Sequence, residues 1–85
     1  MNRRKLFQRI SRGAVQNVAF GDFCGLVEDF GFRLSRVSGS HHVFVHHQVP
    51  ALLNLQDFGG EAKPYQIRQF LRIVERYNLR MEGDA

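Results

Sequence analysis

Tryptophan is absent from this 85-residue chain, cysteine occurs once and proline twice. Each scarcity excludes something. A single thiol, Cys24, can form neither an intramolecular disulfide nor a cysteine-based zinc site, and that suits a reducing cytoplasm. No apolar run is long enough to cross a bilayer. Charges at Arg3, Arg4, Lys5 and Arg9 interrupt the N-terminus, so it is not expected to act as a secretory signal. A cytoplasmic chain with no membrane partner is the expectation. Without tryptophan, the aromatic load falls on eight phenylalanines and two tyrosines, and the core should be a phenylalanine cluster braced by Leu, Ile and Val. Acid is the scarcer charge: 8 Asp and Glu stand against 12 Lys and Arg, for a net charge of +4. All of the basic residues are arginine except Lys5 and Lys63, and the guanidinium fork suits phosphate. Composition therefore favours nucleic acid or an acidic protein as partner over charge for solubility alone. A chain this short is one domain. It buries only about 60% of its unfolded surface and has no room for a separate cofactor domain.

Helical periodicity comes first along the chain. Leu6, Phe7, Ile10 and Ala14 recur at helical spacing, which predicts a short basic helix over 2–12, stopped by Gly13. A connector over 14–18 follows. Phe20, Phe23, Cys24, Val27 and Phe30 then form one stripe, with Asp22, Glu28 and Asp29 off it and Gly31 as the C-terminal stop. This predicts a second helix over 20–30, with Cys24 as a small core residue. The period changes to two over 32–37. Ser38-Gly39-Ser40 is turn chemistry, and alternation resumes over 42–47, giving a β-hairpin with His41 at the start of its second strand. Pro50 is expected to end the ladder. The apolar run 51–55 reads as a third strand and 56–62, with Gly59-Gly60, as a flexible loop. Lys63-Pro64 opens the last helix, whose apolar face is Ile67, Phe70, Leu71, Val74 and Tyr77. The polar tail 80–85 reads as disordered. The expected fold is α+β and two-layered: three antiparallel strands with helices on one face, in the α-β-β-β-α order of the double-stranded-RNA-binding domain, plus an extra N-terminal helix. Its parts would be a basic helix and connector (1–17), the main domain (18–79) and the tail (80–85).

Four histidines, His41, His42, His46 and His47, invite a metal site. Strand geometry argues against one. His42 and His46 share a face but stand roughly 13 Å apart along a strand, adjacent histidines point to opposite faces, and residues 32–37 offer no ligand. His46 and His47, near a strand end, read as solvated polar residues. His41 differs because Gly39 and Ser40 make a tight backbone beside it and Arg36 lies just across the turn. One imidazole can serve as general base or acid when a ribose 2′-hydroxyl attacks the adjacent phosphate. A nearby Arg or Lys would stabilise the added negative charge. From spacing alone a histidine that merely hydrogen-bonds at the sheet edge is the better reading, because a single Gly-Ser-His-His is a weak signal. The orientation of the pair turns on Phe44: if it faces the core, as its size favours, His42 turns inward and His41 faces the open side. Arg68, Arg72 and Arg76 recur every fourth residue and would either contact RNA phosphates or form a solvated face beside Glu75. Lys63, at a helix N-terminus, occupies a natural anion site.

Gly31-Phe32, then Arg36-Val37-Ser38-Gly39-Ser40-His41-His42-Val43-Phe44, then Lys63-Pro64 opening a helix resemble, in that order, the HicA toxins of bacterial toxin–antitoxin pairs. The resemblance covers about residues 20–79. The basic helix before Val18 is extra, and residues 49–62 are longer, with Leu-Leu-Asn-Leu in place of a short Val-Pro turn. The resemblance implies a double-stranded-RNA-binding-domain-like fold, metal-independent cleavage of mRNA that blocks translation, and neutralisation by a HicB-like antitoxin. It also implies that the first histidine after Gly-Ser, His41, is catalytic. Gly39, Ser40, Arg36, Lys63 and Arg68 are then the candidate RNA contacts, with no cofactor, no metal and no DNA bound by the chain itself. A non-catalytic RNA-binding module and a pure protein-interaction domain on the same fold are the alternatives. Salt-sensitive RNA binding that His41→Ala leaves nearly unchanged, with no cleavage, would mark the first, and no RNA affinity the second.

Overall fold

The computed structural model describes residues 2–82. In chain order the elements are α1 (Arg3–Ser11), α2 (Phe20–Asp29), β1 (Arg33–Ser38), β2 (His41–His46), β3 (Val49–Phe58), β4 (Glu61–Ala62) and α3 (Pro64–Arg76). The strands form one antiparallel sheet in the order β1-β2-β3-β4. The α+β class holds, but the sheet has four strands, not three. The span expected to be a flexible loop, 56–62, is instead the end of β3, a Gly59-Gly60 turn and β4. Both glycines have positive φ, 60° and 88°, and Asp57 Oδ1 accepts from Gly60 N–H at 2.9 Å. A paired glycine turn is compatible with order as well as with mobility, and here the pairing decides.

Pro50 does not end the ladder. It is the second residue of β3, exposed and next to the two-residue turn His47-Gln48. A proline at the start of a strand gives up one donor where the hairpin closes and leaves the rest of the ladder intact. The first hairpin closes at Gly39-Ser40, where Gly39 has φ 58°, and Ser38 faces His41 across it. A bulge at Ser35 shifts the register between Leu34 and Arg36.

The core lies between the helices and one face of the sheet. Phe70 on α3 is its centre, with the Phe23 and Phe30 rings each 5.4 Å away in edge-on contact and Phe32 at 6.1 Å. Phe44, Leu53 and Leu55 close it from the sheet. The basic helix α1 is part of this core. Leu6 and Ile10 are fully buried in it, each contributing about 1.5–3 kcal/mol by burial. Asn2 caps α1 by accepting from Lys5 N–H, and Arg3 pairs with Asp29 at 2.9 Å. Gly25 on α2 is where Arg3 crosses: a Cβ there would meet the guanidinium at 2.6 Å. Of the tail, residues 80–82 are described. Met81 packs against the core and Glu82 N–H donates to the Asp29 carbonyl; residues 83–85 lie outside the described ones. Among the described residues no helix is long and apolar enough to cross a membrane.

Candidate functional site

Cross-strand partners share a face of a sheet, so the register sorts the residues. Phe44 pairs with Leu53 and His42 with Leu55; these face the helices. His41 pairs with Gln56 and Val43 with Asn54; these face the open side, joined on β1 by Ser38 and Arg36. Phe44 thus turns inward and His41 outward. His42, half-buried, meets the Phe20 ring edge-on at 4.9 Å and donates from Nδ1 to the Ser40 carbonyl at 3.4 Å.

His41 is exposed at the first position of β2. Its Nδ1–H donates to Asn54 Oδ1 at 3.2 Å. This bond leaves the lone pair of the neutral ring on Nε2, which has no hydrogen-bond partner among the described residues. The turn beside it is held by β3: Ser40 O accepts from Asp57 N–H at 2.8 Å, and Ser40 Oγ accepts from Gln56 Nε2 at 3.4 Å. Its chain neighbours aside, nothing lies within 4 Å of a Cβ built on Gly39, so the space there is open to a ligand. Arg36 is exposed on the same face, opposite Val43, and its side chain makes no hydrogen bond or ion pair among the described residues.

Lys63 reaches the same region from the helix layer. It is the N-cap of α3, and Pro64 follows it. Gln66, buried in the first turn, ties that helix end to the site. Its Oε1 accepts from Gln56 N–H at 2.9 Å and its Nε2 donates to Tyr65 Oη at 3.2 Å. Lys63 Nζ stands 5.1 Å over the Phe58 ring. Arg68 is brought to no such place: it lies exposed on α3, and no contact links it to His41.

His46 is not a solvated residue. It is 8% exposed and both ring nitrogens are committed. Nε2–H donates to the Phe30 carbonyl at 3.1 Å, and Nδ1 accepts from Gln48 N–H at 3.0 Å. The His47 ring stacks on it at 4.8 Å. The His46 ring itself meets Phe32 edge-on at 5.0 Å. Cys24 is chemically quiet. Burial, and after it the carboxylates of Glu28 and Asp57, push its thiol up to about 12. Among the described residues no three His, Cys, Asp or Glu side chains converge.

Asn54, Gln56 and Gln66 were not singled out by sequence. The available sign was small: Asn54 is the one polar residue in the run Leu52-Leu53-Asn54-Leu55, and a strand period sets it opposite Leu53 and Leu55.

A family model described as the HicA toxin of bacterial toxin–antitoxin matches residues 20–75. The chain belongs to the HicA toxin family. The match runs from the first residue of α2 to the last turn of α3 and leaves α1 outside. No curated protein and no solved structure matches the chain.

Proposed function

We infer that this HicA-family toxin cleaves mRNA, with His41 as the proton-transferring group. The observation that carries the reading is the exposed His41 ring, with Nδ1 held by Asn54 and Nε2 left unpartnered on a basic sheet face. Nε2 takes the proton from a ribose 2′-hydroxyl as that oxygen bonds to the adjacent phosphorus. The bond from phosphorus to the 5′-oxygen breaks and that oxygen leaves with a proton from solvent water, while the His41 imidazolium returns its own proton to solvent. The products are a 2′,3′-cyclic phosphate and a 5′-hydroxyl, and the step itself requires no metal ion. Arg36 offsets the charge that builds on the phosphoryl oxygens, and Lys63 adds positive charge from the opposite edge. Gly39 and Ser40 shape the backbone against which the phosphate lies. Arg68 is a more distant contact with the RNA backbone. Asn54 acts through His41, as a positioning residue.

The order α2-β1-β2-β3-α3, with only the short β4 added, supports the likeness to the double-stranded-RNA-binding domain. A HicB-like antitoxin is the expected protein partner. Leu34 and Val37 on edge strand β1 are 40% and 52% exposed, on a part of the inner sheet face that the helices leave bare, and an edge strand of this kind accepts a protein partner.

The test is to induce the wild-type chain and His41→Ala in cells and follow growth and RNA integrity, then assay the purified proteins on RNA. Cleavage is expected to fall about 10²–10⁴-fold, with cyclic-phosphate ends only in the wild type. Equal toxicity and equal RNA loss from the two proteins would remove His41 from the mechanism. Salt-sensitive RNA binding without any cleavage by the wild type would leave a binding module.

A further inference from the structure

Every phenylalanine but one is drawn into the core or packed against it. Phe58 is 64% exposed, the most exposed large apolar side chain among the described residues. Its position follows from the register. Asn54, Gln56 and Phe58 alternate along β3, so Phe58 shares the open face with His41, whose partner is Gln56. Two residues of strand separate Phe58 from Gln56, roughly 7 Å. Asp57 and Ala62 take the inward side, and Glu61 faces outward opposite Phe58. Lys63 Nζ stands over one face of the ring; at this exposure the rest of the ring is in water.

The charges at this corner, Glu61 and Lys63, offset one another. Lys63 is therefore a weaker phosphate contact than Arg33 and Arg36, which stand exposed on the same face. What the corner offers is an aromatic surface framed by one carboxylate acceptor and one ammonium donor. That is the chemistry of a nucleobase: a π-face to stack, with an edge of donors and acceptors. The placement is also held. Gln66 fastens the first turn of α3 to Gln56, and Gln56 reaches Ser40, the residue before His41. We propose that Phe58 is the stacking platform for an unpaired RNA base next to the scissile phosphate, with Lys63 and Glu61 at the edges of the subsite. The inference rests on the RNA reading above and adds to it a place for the base, as single-stranded RNA is commonly held by stacking.

The test uses the full chain carrying His41→Ala, so that RNA is not consumed. The probes are a short single-stranded oligoribonucleotide and the same oligomer made abasic. Phe58→Ala is expected to weaken binding of the intact oligomer about 5- to 150-fold and to leave binding of the abasic one within twofold. Phe58→Trp should bind the intact oligomer at least as tightly as the parent. The salt dependence should be unchanged by Phe58→Ala, which removes no charge, whereas Arg36→Gln should flatten it, by about 0.7 in log–log slope. Thermal melts should coincide, because the ring is in water. RNA binding untouched by Phe58→Ala, or weakened equally for intact and abasic oligomers, overturns this inference and leaves the RNA reading standing. Unchanged RNA binding together with lost binding of a protein partner reassigns the ring to that partner and likewise overturns it. No RNA binding at low salt overturns both.

Discussion

Strand β2 begins and ends in histidine, and its two ends behave oppositely. At His46 both ring nitrogens are used: one donates to the end of α2 at Phe30 and the other accepts from the turn at Gln48. At His41 one nitrogen is used and the other is unpartnered at the surface. The residue type and strand are the same, so the difference lies in what surrounds each ring. The buried imidazole is a polar bolt, linking a helix end to a hairpin while satisfying both of them. The exposed one keeps a lone pair that nothing in the chain consumes, and a second residue fixes which nitrogen carries it. Availability for proton transfer is thus a matter of an uncommitted nitrogen with an oriented partner, and a count of histidines does not supply it.

The comparison is broken most severely at the buried end. His46→Ala removes a ring packed against Phe32 and leaves the Phe30 carbonyl and the Gln48 N–H without partners. The expected loss is about 2–4 kcal/mol of folding stability, read as a lower urea midpoint at unchanged slope. Cleavage per folded molecule should stay near wild type. His41→Ala should do the reverse, costing activity while moving stability by no more than about 0.5 kcal/mol. If both substitutions destabilised alike, the two rings would share one structural role.

Gly31→Ala probes the same bolt from the other side. Gly31 has φ 91°, and a Cβ there would come within 2.9 Å of His46 Nε2. Left-handed strain and the displaced ring together should cost about 1–3 kcal/mol. The double variant sharpens the assignment. If the added methyl acts partly by pushing the His46 ring, then Gly31→Ala in the His46→Ala background should cost less than it does alone. Strict additivity would mean that backbone strain is the whole effect.

This difference between the ends of β2 was legible in the sequence only in part. The opposite orientation of His41 and His42 follows from a strand period and from the size of Phe44, and the sheet obeys it. The inward turn of His46 follows the same alternation, but its burial depends on Phe30 and Phe32 arriving from elsewhere in the chain, which alternation along one strand cannot express. The fourth strand was hidden because two residues, Glu61 and Ala62, are too few to show a period. They are held by partners at Asp57 and Phe58 and by the backbone of Val18 and Phe20, where Val18 O accepts from Ala62 N–H and Phe20 N–H donates to the carbonyl of the adjoining Gly60. The apolar spacing of α1 was plain. That it belongs to the core was not, since burial of Leu6 and Ile10 depends on the rest of the domain. Lys63 was recognisable as a helix opener, while the link that brings it toward His41 runs through Gln66, a polar residue on an apolar helix face.

The smallest expected effect lies at the exposed end and bears most directly on the reactive ring. Asn54→Ala removes the acceptor that keeps the proton on Nδ1 of His41. Both residues are exposed, so stability should hardly change, and the loss is one hydrogen bond's worth of orientation, about 0.5–1.5 kcal/mol or about two- to twelvefold in cleavage rate. A purely structural role would predict a flat result in this assay. Asn54→Asp distinguishes orientation from bulk. A carboxylate at the same place still accepts from Nδ1 but favours the charged ring, so the neutral base is present only at higher pH. The acid limb of the rate profile should therefore move upward in pH, with the alkaline rate recovering toward wild type. If Asp and Ala behave alike at every pH, Asn54 does not act through the His41 ring, and the contrast between the two histidines reduces to burial alone.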